Sequence, residues 1–156
     1  MSLKSNLKKL AIYLSTKRPS KRFSMSTYTR DTRYTNVMYT NGVEIIDPRE
    51  QKSIPECNTV CCALGCGIRA GVPAGRCEDW SGYARKFIEN GSQYDWLFDY
   101  NWKYYDDTPK GAAYRIGYMI KCGIPEWFSR PYDANKLKGN YKECLAIGKE
   151  YVDSLK

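Results

Sequence analysis

Residues 108–123 read Thr-Pro-Lys-Gly-Ala-Ala-Tyr-Arg-Ile-Gly-Tyr-Met-Ile-Lys-Cys-Gly. Thr108 is a good helix cap. Pro109 suits the first helical position, because the N–H it lacks would have no partner there. Ala112, Ala113, Ile116, Met119 and Ile120 recur at the spacing of one buried helical stripe. Gly123 and Pro125 then stop the pattern. The stretch predicts a helix over 109–122 with one face in a core.

Four more stretches read the same way. Over residues 2–16, Leu3, Leu7, Leu10, Ala11 and Leu14 form a stripe with lysines opposite. Residues 58–70 start near Asn58 or Thr59 and end before Gly71 and Pro73. Residues 80–89 follow Asp79 as a cap and stop at Asn90-Gly91, with Trp80, Tyr83, Ala84, Phe87 and Ile88 in helical phase. A last helix over about 141–155 begins at Asn140, with Glu143 completing a capping box. Its core face would be Tyr141, Leu145, Gly148, Val152 and Leu155. One segment breaks this rhythm. Asn41-Gly42, between Thr35–Thr40 and Val43–Ile46, accepts the positive φ angles of a tight turn and predicts a β-hairpin. The expected fold is mainly α: a compact single-domain bundle of about five helices over 1–156, with a hairpin excursion near 35–46.

At 156 residues the chain suits one domain with an apolar core. An apolar content of 42% excludes a disordered chain, and no apolar run approaches the roughly 20 residues of a membrane span. Histidine is absent, which removes the commonest general base and any His-containing metal site. An enzyme is thus the less favoured class.

The net charge of +8 is uneven. Residues 1–33 hold nine cations and a single acid, Asp31. The other 123 residues balance, 16 cations against 16 acids. The chain thus reads as a basic N-terminal helix and arm (1–33) on a neutral core (34–156). Such an arm attracts phosphate. Lys17, Arg18, Lys21 and Arg22 are its candidate nucleic-acid contacts. The first residues are too interrupted by Lys4, Lys8 and Lys9 for a secretory signal. Seven cysteines, an odd number, point to a reducing cytoplasm rather than a disulfide framework.

Cys57-Asn58-Thr59-Val60-Cys61-Cys62-Ala63-Leu64-Gly65-Cys66 is the densest cluster of chemistry-bearing side chains. Structural zinc usually takes pairs of ligands on turns. On a helix Cys57 and Cys61 share one face, and Cys62 and Cys66 share another about 100° further round. The reading is buried small hydrophobes, with no metal and no cofactor. A thiol activated by the helix N-terminus would be Cys57.

Residues 94–105, Tyr-Asp-Trp-Leu-Phe-Asp-Tyr-Asn-Trp-Lys-Tyr-Tyr, place an aromatic at every second position from 94 to 104. This allows a strand, or a short capped helix turning into a loop. Rings stack on bases, though Asp95, Asp99, Asp106 and Asp107 make the region acidic. Asp106-Asp107 is read as favouring the start of the 109–122 helix rather than as a magnesium pair. No phosphate loop of the Walker or dinucleotide kind is present. Arg69, Arg76 and Arg115 are the candidate anion pocket, because guanidinium grips phosphate bidentately. Trp102, Tyr104 and Tyr114 are its candidate rings.

Phe23-Ser24-Met25-Ser26-Thr27-Tyr28, the Cys57–Cys66 segment, Leu97-Phe98 near Trp102, and Ala113-Tyr114-Arg115-Ile116 ending at Gly123 together carry a resemblance. Residues 23–124 resemble a family of small phage and bacterial proteins. Its hallmarks are a Phe-x-Met-x-x-Trp/Tyr segment and a Cys-Gly-Thr-Val-Ala-Cys-x-x-Gly-His helix. This chain departs from the second at Asn58 and Cys66. The resemblance implies a phage-type accessory origin. The expectation is a host-cytoplasmic protein that binds a phosphate-bearing small ligand without turnover, a candidate being a nucleotide second messenger of antiviral defence. The alternatives are nucleic-acid binding by the basic arm and inhibition of a host protein partner. A homo-oligomer would let two copies enclose the ligand.

Overall fold

The computed structural model describes residues 2–16, 23–25, 29–31, 38–40, 43–45, 59–77, 80–128 and 134–156. Within these, five α-helices dominate: α1 (Leu3–Thr16), α2 (Trp80–Ala84), α3 (Gly91–Phe98), α4 (Pro109–Cys122) and α5 (Ala134–Asp153). Four three-residue strands accompany them: β1 (Thr29–Asp31), β2 (Met38–Thr40), β3 (Val43–Ile45) and β4 (Thr59–Cys61). β1 pairs antiparallel with β4, with Arg30 opposite Val60. β2 pairs antiparallel with β3, with Thr40 opposite Val43. The Asn41-Gly42 step between them lies outside the described residues.

α4 sits at the centre of the helical body and forms as its sequence predicts. The Thr108 side chain accepts from Gly111 N–H at 3.0 Å, Pro109 opens the helix, and Gly123 N–H bonds the Met119 carbonyl. Ala112, Ala113 and Ile116 are fully buried. α1 buries Leu7, Leu10, Ala11, Tyr13 and Leu14 in the same cluster, to which α5 contributes Leu137, Cys144 and Val152. α4 and α5 pack with almost no space between backbones. A Cβ added at Gly117 would stand 2.5 Å from the Gly148 carbonyl oxygen, and one at Gly148 would fall on the Tyr114 carbonyl.

Elsewhere the structure corrects local expectations. The helix expected over 58–70 is absent. Residues 59–61 are strand β4, and the next element is a 3₁₀ turn, Gly65–Gly67, flanked by further turns. Pairing with β1 draws 59–61 into extended backbone, and the two glycines are poor helix formers. Cys61 therefore does not share a helix face with Cys57, which lies outside the described residues. Cys62 and Cys66 are fully buried, as small hydrophobes. The helix expected over 80–89 ends at Ala84. Asn90 does not stop it but starts the next, accepting from Gln93 N–H at 3.0 Å as the cap of α3. The aromatic run is thus helix α3 followed by a 3₁₀ turn, Tyr100–Tyr104, that Asp99 caps. α5 begins at Ala134, a full turn and more before Asn140, so the Asn140–Glu143 pair lies inside the helix.

Candidate functional site

Two clusters gather the chemistry-bearing side chains, one interior and one at the surface. The interior cluster is centred on Arg115, which has no exposed surface. Its guanidinium carbon lies 4.1 Å from the Trp102 ring centre. Nη1 donates to the Tyr141 hydroxyl at 2.8 Å and lies 3.6 Å from Asp106 Oδ2. The Tyr141 hydroxyl donates onward to Asp106 Oδ2 at 2.6 Å, and Thr108 Oγ1 donates to Oδ1 at 2.5 Å. Burial pushes the Tyr141 phenol well above its ordinary range, only partly offset by the neighbouring Arg115 charge. Trp102 stacks on Tyr141 and on Phe128, with ring centres 5.2 and 6.1 Å apart. Arg115 Nη2 also points at the Met25 sulfur, 3.9 Å away, and Asp107 accepts from Met25 N–H at 2.5 Å.

Asp106 and Asp107 thus face different partners: one holds Arg115 and Tyr141, the other the backbone at Met25. Each thus does more than complement the start of α4. Chemically, the Arg115 cluster is a buried cation whose Nη1 and Nη2 find acceptors inside the fold, while its Nε is enclosed without one. Such an arrangement holds elements together and leaves little for an outside anion.

The surface cluster is built on the loop from Gly67 to Cys77. Gly67 lets the loop lie against α2 and the turn after it, since a Cβ there would meet the Tyr83 hydroxyl and the Phe87 ring at 2.6 Å. Tyr83 donates its hydroxyl to the Val72 carbonyl at 2.6 Å. Burial drives the Tyr83 phenol far above its ordinary range. Val72 and Ala74 are buried while Gly71, Pro73, Gly75 and Arg76 around and between them are exposed. Gly71 and Gly75 take φ of 85° and 65°, which L side chains rarely adopt, and their outer sides are nearly clear of other atoms. The loop is thus an anchored, exposed edge.

Four cations belong to this loop or border it. Arg69 and Arg76 belong to it. Lys9 of α1 donates to the Gly71 carbonyl at 3.5 Å. The Lys86 ammonium lies 3.7 Å from where a Gly75 Cβ would stand. Asn6 fixes α1 to this side by donating to the Lys86 carbonyl at 2.8 Å. Arg69 is half-buried, and its Nη1 is enclosed with no hydrogen-bond acceptor. Among the described residues the ion pairs are Arg115–Asp106, Lys121–Glu150, Lys149–Asp153 and Lys156–Asp153. None of these pairs engages Arg69, Arg76 or Lys86.

The six residues expected to form one pocket are therefore distributed. Arg69 and Arg76 share the surface edge, and Arg115 and Trp102 share the interior cluster. Tyr104 stands 69% exposed on the 3₁₀ turn with the Lys103 ammonium 4.8 Å over its ring, and Tyr114 is half-buried on α4. Lys17, Arg18, Lys21 and Arg22 lie outside the described residues. Sequence reasoning did not bring Lys9 and Lys86 to the surface loop, or Tyr141 and Met25 to Arg115. A cavity of about 210 Å³ lies apart from both clusters, between α1, α3 and the end of α4. Its lining mixes apolar side chains with polar surface, Lys4 being the single cation and Glu89 the single acid. Among the described residues no three metal-ligating side chains converge, and no helix is long and apolar enough to cross a membrane. No protein-family model, curated protein or solved structure matches the chain.

Proposed function

We propose that this protein binds phosphate groups, without turnover, along the edge formed by the Gly67–Cys77 loop and the adjoining side of α1. The observation that carries the reading is the enclosed Arg69 Nη1, a cationic donor with no acceptor. A buried donor left unpaired costs about 1–3 kcal/mol, and more where the group is charged, so an anion accepting from it gains by as much. The chain has no histidine, and cations and backbone meet here. Such groups hold negative charge rather than move protons. On the resemblance over residues 23–124, the binding would serve a phage-type accessory protein that sequesters a phosphate-bearing ligand such as a nucleotide signal.

Thermal melting with tripolyphosphate, cyclic dinucleotides, mononucleotides and NAD-derived molecules tests this. A ligand at about 100 times its Kd adds about 2.7 kcal/mol, roughly 5–10 °C here. The shift should disappear in Arg69→Gln/Arg76→Gln. No shift with any phosphate compound would overturn the reading. A second reading, inhibition of a host protein, is favoured by Tyr100, Tyr104 and Tyr105, the large apolar side chains left exposed among the described residues. Replacing all three with alanine would then abolish the complex and leave phosphate binding intact.

A further inference from the structure

We infer that the cavity between α1, α3 and the end of α4 is a site for a free aliphatic α-amino acid, bound as its zwitterion. The inference goes beyond phosphate binding and concerns a separate part of the molecule. Three observations carry it.

The first is size. The cavity holds about 210 Å³. An apolar cavity of about 150 Å³ takes one benzene molecule. By that scale this one takes about eight or nine non-hydrogen atoms, the size of leucine or methionine. A nucleotide is far larger.

The second is the gradient of burial across the lining. Leu7, Phe87 and Met119 come from three separate segments and are 5%, 1% and 9% exposed. Lys4 and Glu89 stand exposed, and Gln93 is half-buried. The apolar side chains thus form a floor for a hydrocarbon body, and the polar ones a rim for its head group.

The third is the charge on that rim. Lys4 on α1 and Glu89, just before the Asn90 cap of α3, carry opposite charges and line one cavity. Among the described residues neither enters an ion pair, with the other or elsewhere. Gln93 Oε1 accepts from Glu89 N–H at 2.7 Å. That bond fixes the amide and leaves the two hydrogens of Nε2 for a further acceptor. Lys4 and Gln93 thus supply donors for a carboxylate, and Glu89 an acceptor for an ammonium. A ligand with a single charge meets one attraction and one repulsion here. A phosphate would face Glu89 with one lysine to hold it. A zwitterion finds both charges matched.

Isothermal titration calorimetry of the full chain with L-leucine and L-methionine tests this, beside two analogues of leucine. 4-Methylpentanoate lacks the ammonium, and 3-methylbutylamine lacks the carboxylate. Leucine should bind at least about tenfold more tightly than either, since each analogue loses a charged hydrogen bond and keeps a repulsion. Glu89→Gln should weaken leucine about fivefold and narrow its lead over 4-methylpentanoate, which then meets no opposing carboxylate. Lys4→Gln should narrow the lead over 3-methylbutylamine in the same way. Both side chains are exposed and outside any ion pair, so each variant should keep the Tm of the parent. Saturating tripolyphosphate should leave the Kd for leucine unchanged. Competition between the two would place leucine at the Gly67–Cys77 loop and overturn the inference. No binding of leucine or methionine up to about 10 mM would overturn it too. So would an analogue that binds as tightly as leucine, or variants that leave the lead over both analogues unaltered.

Discussion

Arg115 and Arg69 show how burial assigns different work to the same side chain. Arg115 is enclosed with Asp106, Tyr141 and Trp102, so its charge is spent inside the fold. Removing one partner of a buried pair strands the other, at about 3–5 kcal/mol. Arg115→Ala should therefore lower stability by roughly 3 kcal/mol in urea unfolding, whereas Arg69→Gln, which removes an enclosed charged donor that has no acceptor, should not lower it. Equal losses would contradict the division between interior and surface. The tyrosines give a pH signature. Burial first, then the nearby Cys144 thiol, pushes the Tyr118 phenol up to about 12, and burial also raises Tyr83 and Tyr141. The folded state thus holds protons that the unfolded chain releases near pH 10. This stabilisation is complete below pH 10 and is lost as pH climbs toward the folded values. Tm should fall steeply above pH 10, and Tyr118→Phe should make the fall shallower. An unchanged slope would deny the link.

At the scale of elements, backbone proximity and caps set the sensitive positions. α4 and α5 approach at Gly117 and Gly148, where a side chain would collide with backbone rather than with a flexible tip. Gly148→Ala should cost about 3 kcal/mol, at the upper end of overpacking, because a carbonyl cannot rotate aside. Urea unfolding of that variant, with Gly139→Ala as the open-space control in the same helix, would decide it. The caps are milder. Asn90→Ala removes the acceptor for Gln93 N–H at the start of α3 and should cost about 1 kcal/mol.

For the molecule as a whole, α1 of the basic N-terminal segment is part of what holds the fold. Leu7, Leu10 and Leu14 of α1 are at most 5% exposed. At about 1.5–3 kcal/mol each, their burial rivals the roughly 5–15 kcal/mol that keeps a domain folded. Deleting residues 1–16 should abolish the cooperative thermal transition measured by circular dichroism. A truncated chain that still melted cooperatively would show that the core closes without α1. Binding at this end of the molecule is therefore tested by charge-removing substitutions rather than by truncation.

Features that depend on neighbours a few residues away were legible in the chain itself. α4 could be read to its cap and stop because the cap, the proline, the stripe and the glycine all act within one or two turns. α1 was legible for the same reason, and Arg115 shares the buried face of α4, three residues after Ala112 and four before Met119. The rest came from packing between distant segments. Residues 59–61 became a strand because β1, about 30 residues earlier, lies alongside them, a contact no local pattern announces. Asn90 reads equally well as a stop or a cap until the next helix is placed. Lys9 and Gly71 are 62 residues apart, and Met25 and Arg115 are 90 apart. Local periodicity fixes which face of a helix is apolar. Which distant side chain a buried guanidinium meets, or which lysine joins a loop, is set only by how the elements pack.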